Sequence, residues 1–461
     1  MVFEGILARY AKSSPASVMV RGTLENVFSQ QSIDELFAAT AERQYAGQLM
    51  FSSVVELLNL TVCGMRKSVH EAYINRTERF TVSIKSVYNK LNGTEPTVSR
   101  ALVQRTAPRL CEVVEHLKAK RPAPFPGFRT KIIDGNHLAA TEHRLRELRS
   151  NPARPLPGQA LVVLEPEPML MTDVFPCEDG HAQERSLFPQ VLESVQAKDV
   201  WIADRNFCTT EFLFGISARD AYFVIREHAA NVNWEATGKR SRRGKSDKGT
   251  LYEQPVRLLR PNGETMMARR ITVVLDKPTQ SGDTEVHIFS NLPKRMSARR
   301  IATGYLGRWT IENAFQELEQ ALASEIKTLA YPRAALLSFC VAVLAYNTIS
   351  VVKAALRSVH GEAFAPEKVS GYLLAAEVGT VSEGMKIAVP PDDWTRTFAR
   401  LNARQLAAVL RQLAKGVRPD RFKKQIHGPK KPPPKRKYDK RRPHVATSRV
   451  LALRRALAKY R

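Results

Sequence analysis

Apolar positions change their period along the chain, and the changes divide it into regions. Through the first third they recur at helical spacing. Ser32, with Glu35 three residues on, has the form of a capping box, and an apolar-periodic stretch continues through Leu57 and Leu58. A second helix is expected over 84–91; it breaks at Asn92-Gly93-Thr94-Glu95-Pro96 and restarts at Thr97. The restarted helix carries Arg100, Arg105 and Arg109, and the pattern predicts that it exposes them. A helix-turn-helix and an ordinary helical hairpin both fit.

The sequence Arg121-Pro122-Ala123-Pro124-Phe125-Pro126-Gly127 then interrupts the helical pattern. Proline has no amide donor and biases its predecessor to extended backbone, so a stiff non-helical linker and a domain boundary belong here. Beyond it the apolar runs are short. They predict strands over 131–138, 160–165 and 169–175, a helix over 184–197, a strand over 200–205, a helix over 210–218 and a strand over 222–226. From 229 to 293 the pattern turns to alternating apolar stretches separated by Gly and Asp turns, which predicts further strands. Residues 334–352 are uncharged and just long enough to span a bilayer, but they include Ser338, Asn347, Thr348 and Ser350. A helix covering one face of a central sheet is equally apolar all round and is the preferred reading. Helices are also expected over 369–377 and 399–415.

Charge changes the picture most. With 71 Lys and Arg against 45 Asp and Glu, the net charge is +26, which implies a polyanionic partner. From Gly416 to the last residue there are 17 Lys or Arg against Asp420 and Asp439, a net +15, with Pro432-Pro433-Pro434 among them. Such a tail is expected to be disordered and to bind phosphates without reading sequence. Five scattered cysteines, none in a CxxC spacing, argue against a disulfide framework or a zinc ribbon and suit a reducing cytosol. The N-terminus lacks the long apolar region and cleavage site of a secretion signal.

The candidate chemistry lies at strand ends. Asp134 closes the run Lys131-Ile132-Ile133 and is followed by Gly135-Asn136-His137; Asp204 closes Val200-Trp201-Ile202-Ala203 and is followed by Arg205-Asn206. Each acid sits where an apolar strand exits into polar sequence. Further on, Tyr305, Arg308, Glu312 and Glu319 fall on one face if 305–319 is a single helix, with Trp309 beside Arg308. Two strand-end acids and one helical acid are the minimal ligand set for a pair of hard divalent cations doing phosphoryl chemistry. Glu317, Glu319 and Glu325 compete for the third place, but only Glu312 has the spacing to Tyr305 and Arg308. His137 and His143 lie near Asp134, yet imidazole suits softer metals.

The spacing of Tyr305, Arg308 and Glu312 resembles the signature of IS4-family DDE transposases, and the resemblance runs from about 131 to 347. The lysine that follows six residues later in that signature is replaced here by Glu319. The resemblance implies an α/β fold: an RNase H-like catalytic core over 131–360 with a β-rich insertion at about 229–293. A helical DNA-binding domain over 1–120 and the Pro-rich linker over 121–130 precede it, and a helical region over 361–415 and a basic tail over 416–461 follow it. It implies that Asp134 bridges two Mg²⁺ ions, with Mn²⁺ able to substitute, while Asp204 and Glu312 each complete one. Arg308 would approach a phosphate bidentately with Tyr305 nearby. Trp309 would stack on an unpaired base, or else pack in the core. In the insertion, Lys239, Arg240, Arg242, Arg243, Lys245 and Lys248 form a basic loop expected to be mobile until it meets a DNA backbone. The implied partners are double-stranded DNA, as terminal inverted repeats and as target, and a second subunit pairing two ends; the implied setting is the bacterial cytoplasm and nucleoid, with no membrane. Arg100 and Arg105 would then lie against DNA. Two rivals stay open, a nuclease of this fold that cuts without joining and a DNA-binding regulator with a decayed site.

Overall fold

The computed structural model describes residues 3–43, 47–76, 80–138, 145–149, 154–279, 282–326, 328–361, 368–424 and 444–459. Seven helices open the chain: α1 (Gly5–Ser13), α2 (Pro15–Val27), α3 (Gln30–Thr40), α4 (Phe51–Val62), α5 (Val69–Ile74), α6 (Ile84–Gly93) and α7 (Pro96–His116). The expected break between the last two lies at Thr94 and Glu95. The capping box at Ser32 does not form. Ser29 caps α3 instead, accepting the Ser32 amide at 3.2 Å, and Gln31 binds the Glu35 carboxylate at 2.8 Å, which removes the acid a box would need.

The strands are β1 (Arg129–His137), β2 (Arg154–Leu156), β3 (Gln159–Glu165), β4 (Leu170–Cys177), β5 (Asp199–Ala203), β6 (Tyr222–Arg226), β7 (Asn233–Ala236), β8 (Ser241–Ser246), β9 (Gly249–Leu259), β10 (Thr265–Leu275), β11 (Glu285–Ser290) and β12 (His444–Ala446). One large sheet runs in the order β4-β3-β1-β5-β6-β11-β10-β9-β7, with β8 on β9. In it β1, β5 and β6 are parallel, while β3 and β4 extend it antiparallel on one side. The strands of the insertion join on the other side through β11 and β6, so the insertion prolongs the central sheet. Between β4 and β5 the expected helix is short. A 3-10 turn at Glu184–Leu187 leads into α8 (Phe188–Glu193), whose start is set by Pro189, a residue tolerated only in a first turn. Helix α9 (Thr210–Ser217) follows β5.

Alternation along the strands sorts the core. Ile132, Val162, Val200 and Ile202 face the larger apolar cluster, while Ile133, Val163, Trp201 and Ala203 face a second one built with α8 and α9. The larger cluster joins the N-terminal helices to α10 (Ala298–Leu306), α11 (Trp309–Ala321), α12 (Pro332–His360), α13 (Gly371–Ala388), the short α14 (Pro391–Trp394) and α15 (Ala403–Ala414). Helix α12 is long and apolar enough to cross a membrane, yet 94% of its most apolar stretch is buried inside the protein. It is a core helix. Its Asn347, fully buried, accepts from the Met171 amide and donates to the Met171 carbonyl, both at 2.8 Å, which satisfies backbone groups on the edge strand β4.

Two expectations about charged segments are corrected. The basic residues of the insertion do not form a mobile loop, because residues 241–246 pair along β9. Arg243 meets Glu253 at 2.7 Å, and Arg240 lies over the Tyr252 ring and within 3.5 Å of Glu285. In the tail, residues 425–443 lie outside the described ones, but its end is docked. Strand β12 runs parallel to β2, and α16 (Thr447–Lys459) places Leu451 against Leu145, Leu148 and Ala330, with Arg449 on Asp179 at 2.8 Å. The apolar Val450-Leu451 pair supplies the anchor that the basic composition hides.

Replacing Asn347 with Ala would strand the Met171 N–H and C=O in the core. The expected loss is about 2–4 kcal/mol of stability, read by urea unfolding; a change within about 0.5 kcal/mol would show that the clamp is dispensable.

Candidate active site

The pairing of β1 with β5 puts Ile132 level with Ile202, so Asp134 and Asp204, two residues beyond each, come level: Asp204 just past the end of β5, and Asp134 inside β1, which runs on to His137 along β3, where its pairing with β5 has ended. The carboxyl ends of parallel strands are where ligands gather on open α/β sheets. Asp134 shares the face of Ile132, the face covered by α10 and α11. Its Oδ1 accepts from the Gly135 amide at 2.9 Å. Asp204 caps a 3-10 turn, accepting the Asn206 amide at 2.8 Å.

Helix α10 is held by the Pro-rich linker. Phe125, fully buried, lies where a Cβ on Gly304 would stand, only 2.3 Å away, and Arg300 donates to the carbonyls of Pro124 at 2.6 Å and Ala123 at 2.9 Å. The single helix expected from Tyr305 to Glu319 is two helices. Gly307 and Arg308 form a turn in which each amide reaches the carbonyl three residues back, at 3.0 Å, a tighter winding than an α-helix. Tyr305 therefore ends one helix, and Arg308 stands just before the next, which carries Glu312.

Arg308 is the centre of the charge arrangement. One terminal nitrogen lies 2.8 Å from Asp134 and the other 2.6 Å from Glu312, so the fork expected to meet a phosphate is committed to two acids. Its Nε is buried with no hydrogen-bond partner among the described residues. Burial and the charges of Asp204 and Glu312 push the Asp134 carboxyl up to about 6, although Arg308 and the Gly135 amide oppose the rise. Tyr305 is half-buried, and burial raises its phenol pKa in the neighbourhood of Arg308, Arg226 and Asp204. Trp309 is 58% exposed, so it is not a core residue.

Sequence reasoning passed over one acid. Glu184, read only as the start of a helix, comes beside Asp204 and Asp134; burial and those two charges push its carboxyl up to about 7, with the Asn206 side chain opposing as a hydrogen-bond donor. The available signal was its position between the third and fourth strands of the core together with the glycine after Asp134. The competing acids fall elsewhere. Glu317 is ion-paired with the buried Lys353, and Glu319 is exposed further along α11. His137 contacts the Gly180 carbonyl at 3.3 Å, while His143 lies outside the described residues.

The expected exposure of Arg100 is also corrected. It makes two hydrogen bonds to Asp173, at 3.0 and 2.9 Å, and stacks over Phe175 at 4.0 Å, which ties α7 to β4. Arg105 is exposed, as are Lys239, Arg242 and Arg243, the last with its charge turned to Glu253.

Among the described residues no three ligating side chains are close enough, as they stand, to hold an ion. The donor set nevertheless suits a hard divalent cation. All the groups are carboxylate oxygens, burial and their mutual repulsion lift Asp134 and Glu184, and among the described residues the cation ion-paired with the group is Arg308. Asp134, Asp204 and Glu312 are the residues that would hold it, with Arg308 yielding its hold on two of them.

Residues 159–348 match the family model described as the transposase DDE domain, a span that contains Asp204, Tyr305, Arg308 and Glu312 and begins after Asp134. No curated protein matches the chain. Among solved structures, the cryo-EM structure of the piggyBac transposase synaptic complex with hairpin DNA is similar at a TM-score of 0.36 and 9% identity, over 84% of each chain. The family match covers 190 of the 461 residues and supports a DDE transposase. Domains of this class generally use divalent metal ions.

A pH dependence follows from Glu184. Its folded pKa lies above the ordinary 4.5, so the folded chain holds a proton that the unfolded chain has released, and stability falls as pH rises from about 4.5 to about 7. In EDTA, Glu184→Gln is expected to raise Tm at neutral pH and to flatten that fall. An unchanged profile would show that its carboxyl is not crowded by like charge.

Proposed function

We propose that the chain is a DDE transposase of the IS4 family, with an RNase H-like core that cleaves DNA at the ends of a mobile element and joins the freed 3′ ends to target DNA. The observation that carries this reading is the level placement of Asp134 and Asp204 on adjacent parallel strands, on the face that α10 and α11 cover with Glu312. The run β3, β4 antiparallel to one side of β1 and β5, β6 parallel on the other supports the RNase H-like assignment.

A pair of Mg²⁺ or Mn²⁺ ions held here would supply activation of the attacking oxygen and stabilisation of the leaving one. The protein's own residues do the rest. Asp134, Asp204 and Glu312 present hard oxygen donors from three separate elements. Arg308, once released from Asp134 and Glu312, is placed to pair with a phosphate through its fork. The exposed ring of Trp309 next to it offers a face for an unpaired base. Lys239, Arg242, Lys245 and Lys248 on the exposed rim of the insertion, and Arg105 on α7, supply phosphate contacts that steer duplex DNA without reading it. The partners are transposon terminal repeats and target DNA, with two subunits pairing two ends, in a bacterial cytoplasm. A nuclease that cuts without joining shares this geometry; a decayed, DNA-binding regulator is the other rival, with the intact trio of acids arguing against decay and Glu319 at the signature lysine position lending it mild support.

Incubating a linear end-bearing fragment and a circular target with protein and Mg²⁺ separates the three: joined product is expected, cut product alone indicates the nuclease, and bound DNA alone the regulator. Asp134→Asn, Asp204→Asn and Glu312→Gln should each reduce cleavage to background while end binding persists. Arg308→Ala should slow cleavage about a hundredfold. Trp309→Ala should stay within about 0.5 kcal/mol of wild-type stability, since the ring is exposed. A near wild-type cleavage rate for any of the acid variants removes that residue from the site.

A further inference from the structure

We infer that Glu184 is a fourth acidic ligand of the divalent-cation site, entering from the face of the sheet opposite Arg308 and Glu312; this rests on the metal-dependent reading above. Three observations carry it. The first is steric. A Cβ built on Gly135 would stand 2.0 Å from Glu184 Oε1, so the residue directly after Asp134 has no side chain at the point where the Glu184 carboxylate lies. A side chain at 135 would displace that carboxylate from its position.

The second is directional. Alternation along β1 places Asp134 with Ile132 on the face of α10 and α11, and Gly135 with Ile133 on the face of α8 and α9. Glu184, at the turn that leads into α8, therefore reaches the strand end from the side that Glu312 cannot. Asp134 and Asp204 at the sheet margin stand between the two glutamates, and an ion between the aspartates would have an oxygen donor from each face.

The third is electrostatic. Glu184 makes no ion pair among the described residues, and Arg185, the cation whose charge acts on it, donates its Nε to the Asn206 carbonyl at 3.3 Å. The Asn206 side chain, a neutral donor, is the partner it has. A half-buried carboxylate held purely for structure is ordinarily matched by Arg or Lys, whereas this one is turned toward two further carboxylates. A divalent cation is the species that makes such a grouping favourable.

The test is Mn²⁺ binding to the full-length, DNA-free protein, by titration calorimetry and by the loss of the free-ion electron paramagnetic resonance signal. Wild type, Glu184→Gln, Glu184→Asp, Gly135→Ala and Asp134→Asn are compared, each with a melting curve in EDTA to confirm folding. Glu184→Gln, which keeps the shape and removes the charge, is expected to weaken Mn²⁺ binding by about tenfold or more. Gly135→Ala should do the same by displacing the carboxylate, and Glu184→Asp should recover part of the loss. If Glu184→Gln binds Mn²⁺ as wild type does while Asp134→Asn does not, Glu184 is no ligand and the three-acid site stands. If Asp134→Asn also binds as wild type, the metal reading itself fails and this inference falls with it.

Discussion

Carboxylates crowded at one end of a sheet that is apolar on both faces are the constraint around which this protein is arranged. Their repulsion has to be met by a cation, and in this structure the guanidinium of Arg308 meets part of it by bridging Asp134 and Glu312. That bridge ties a strand to a helix across 174 residues of sequence. Burial raises the Asp134 carboxyl, the neighbouring carboxylates add to the rise, and the same crowding makes the site receptive to a stronger positive charge.

The remainder of the fold serves to hold that strand and that helix in register. Phe125 and the linker carbonyls seat α10 at Gly304, and α7 is fixed to β4 through Arg100 and Asp173. Helix α12, apolar all round, fills the space between the N-terminal helices and the sheet and closes the edge of β4 with Asn347. The insertion carries its basic residues on a sheet continuous with β1 and β5. Their positions relative to Asp204 are consequently set by backbone hydrogen bonds running from β5 through β6 and β11, not by a flexible tether.

Much of the secondary structure was legible because local periodicity decides it. Strand β1 and strand β5 announce themselves by short apolar runs ending in acids, and the break before Pro96 is written in Asn92-Gly93 and the proline. The cap at Ser29 was misplaced to Ser32 because both serines sit at the start of the same apolar period, and only the side-chain bond of Gln31 to Glu35 tells them apart. The docked end of the tail was hidden by composition: its basic residues dominate any count, while its anchoring rests on Leu451 and a three-residue strand.

By itself the sequence determined the sheet-forming core, an apolar helix over 334–352 that the structure extends to 332–360, the strand end at Asp204, and the spacing that singles out Glu312, whereas β1 runs on past Asp134 to His137. These are properties of neighbours in the chain, where side-chain period and turn residues act directly. Tertiary structure alone decided which charges meet. It committed Arg308 to two acids, Arg100 to Asp173 and Arg243 to Glu253, it turned Trp309 outward, and it brought Glu184 to the open space beside Gly135. Coulomb interactions and steric fit depend on distance in space, and residues 134 and 184 become neighbours only when β3 and β4 fold back beside β1 and return the chain to its end.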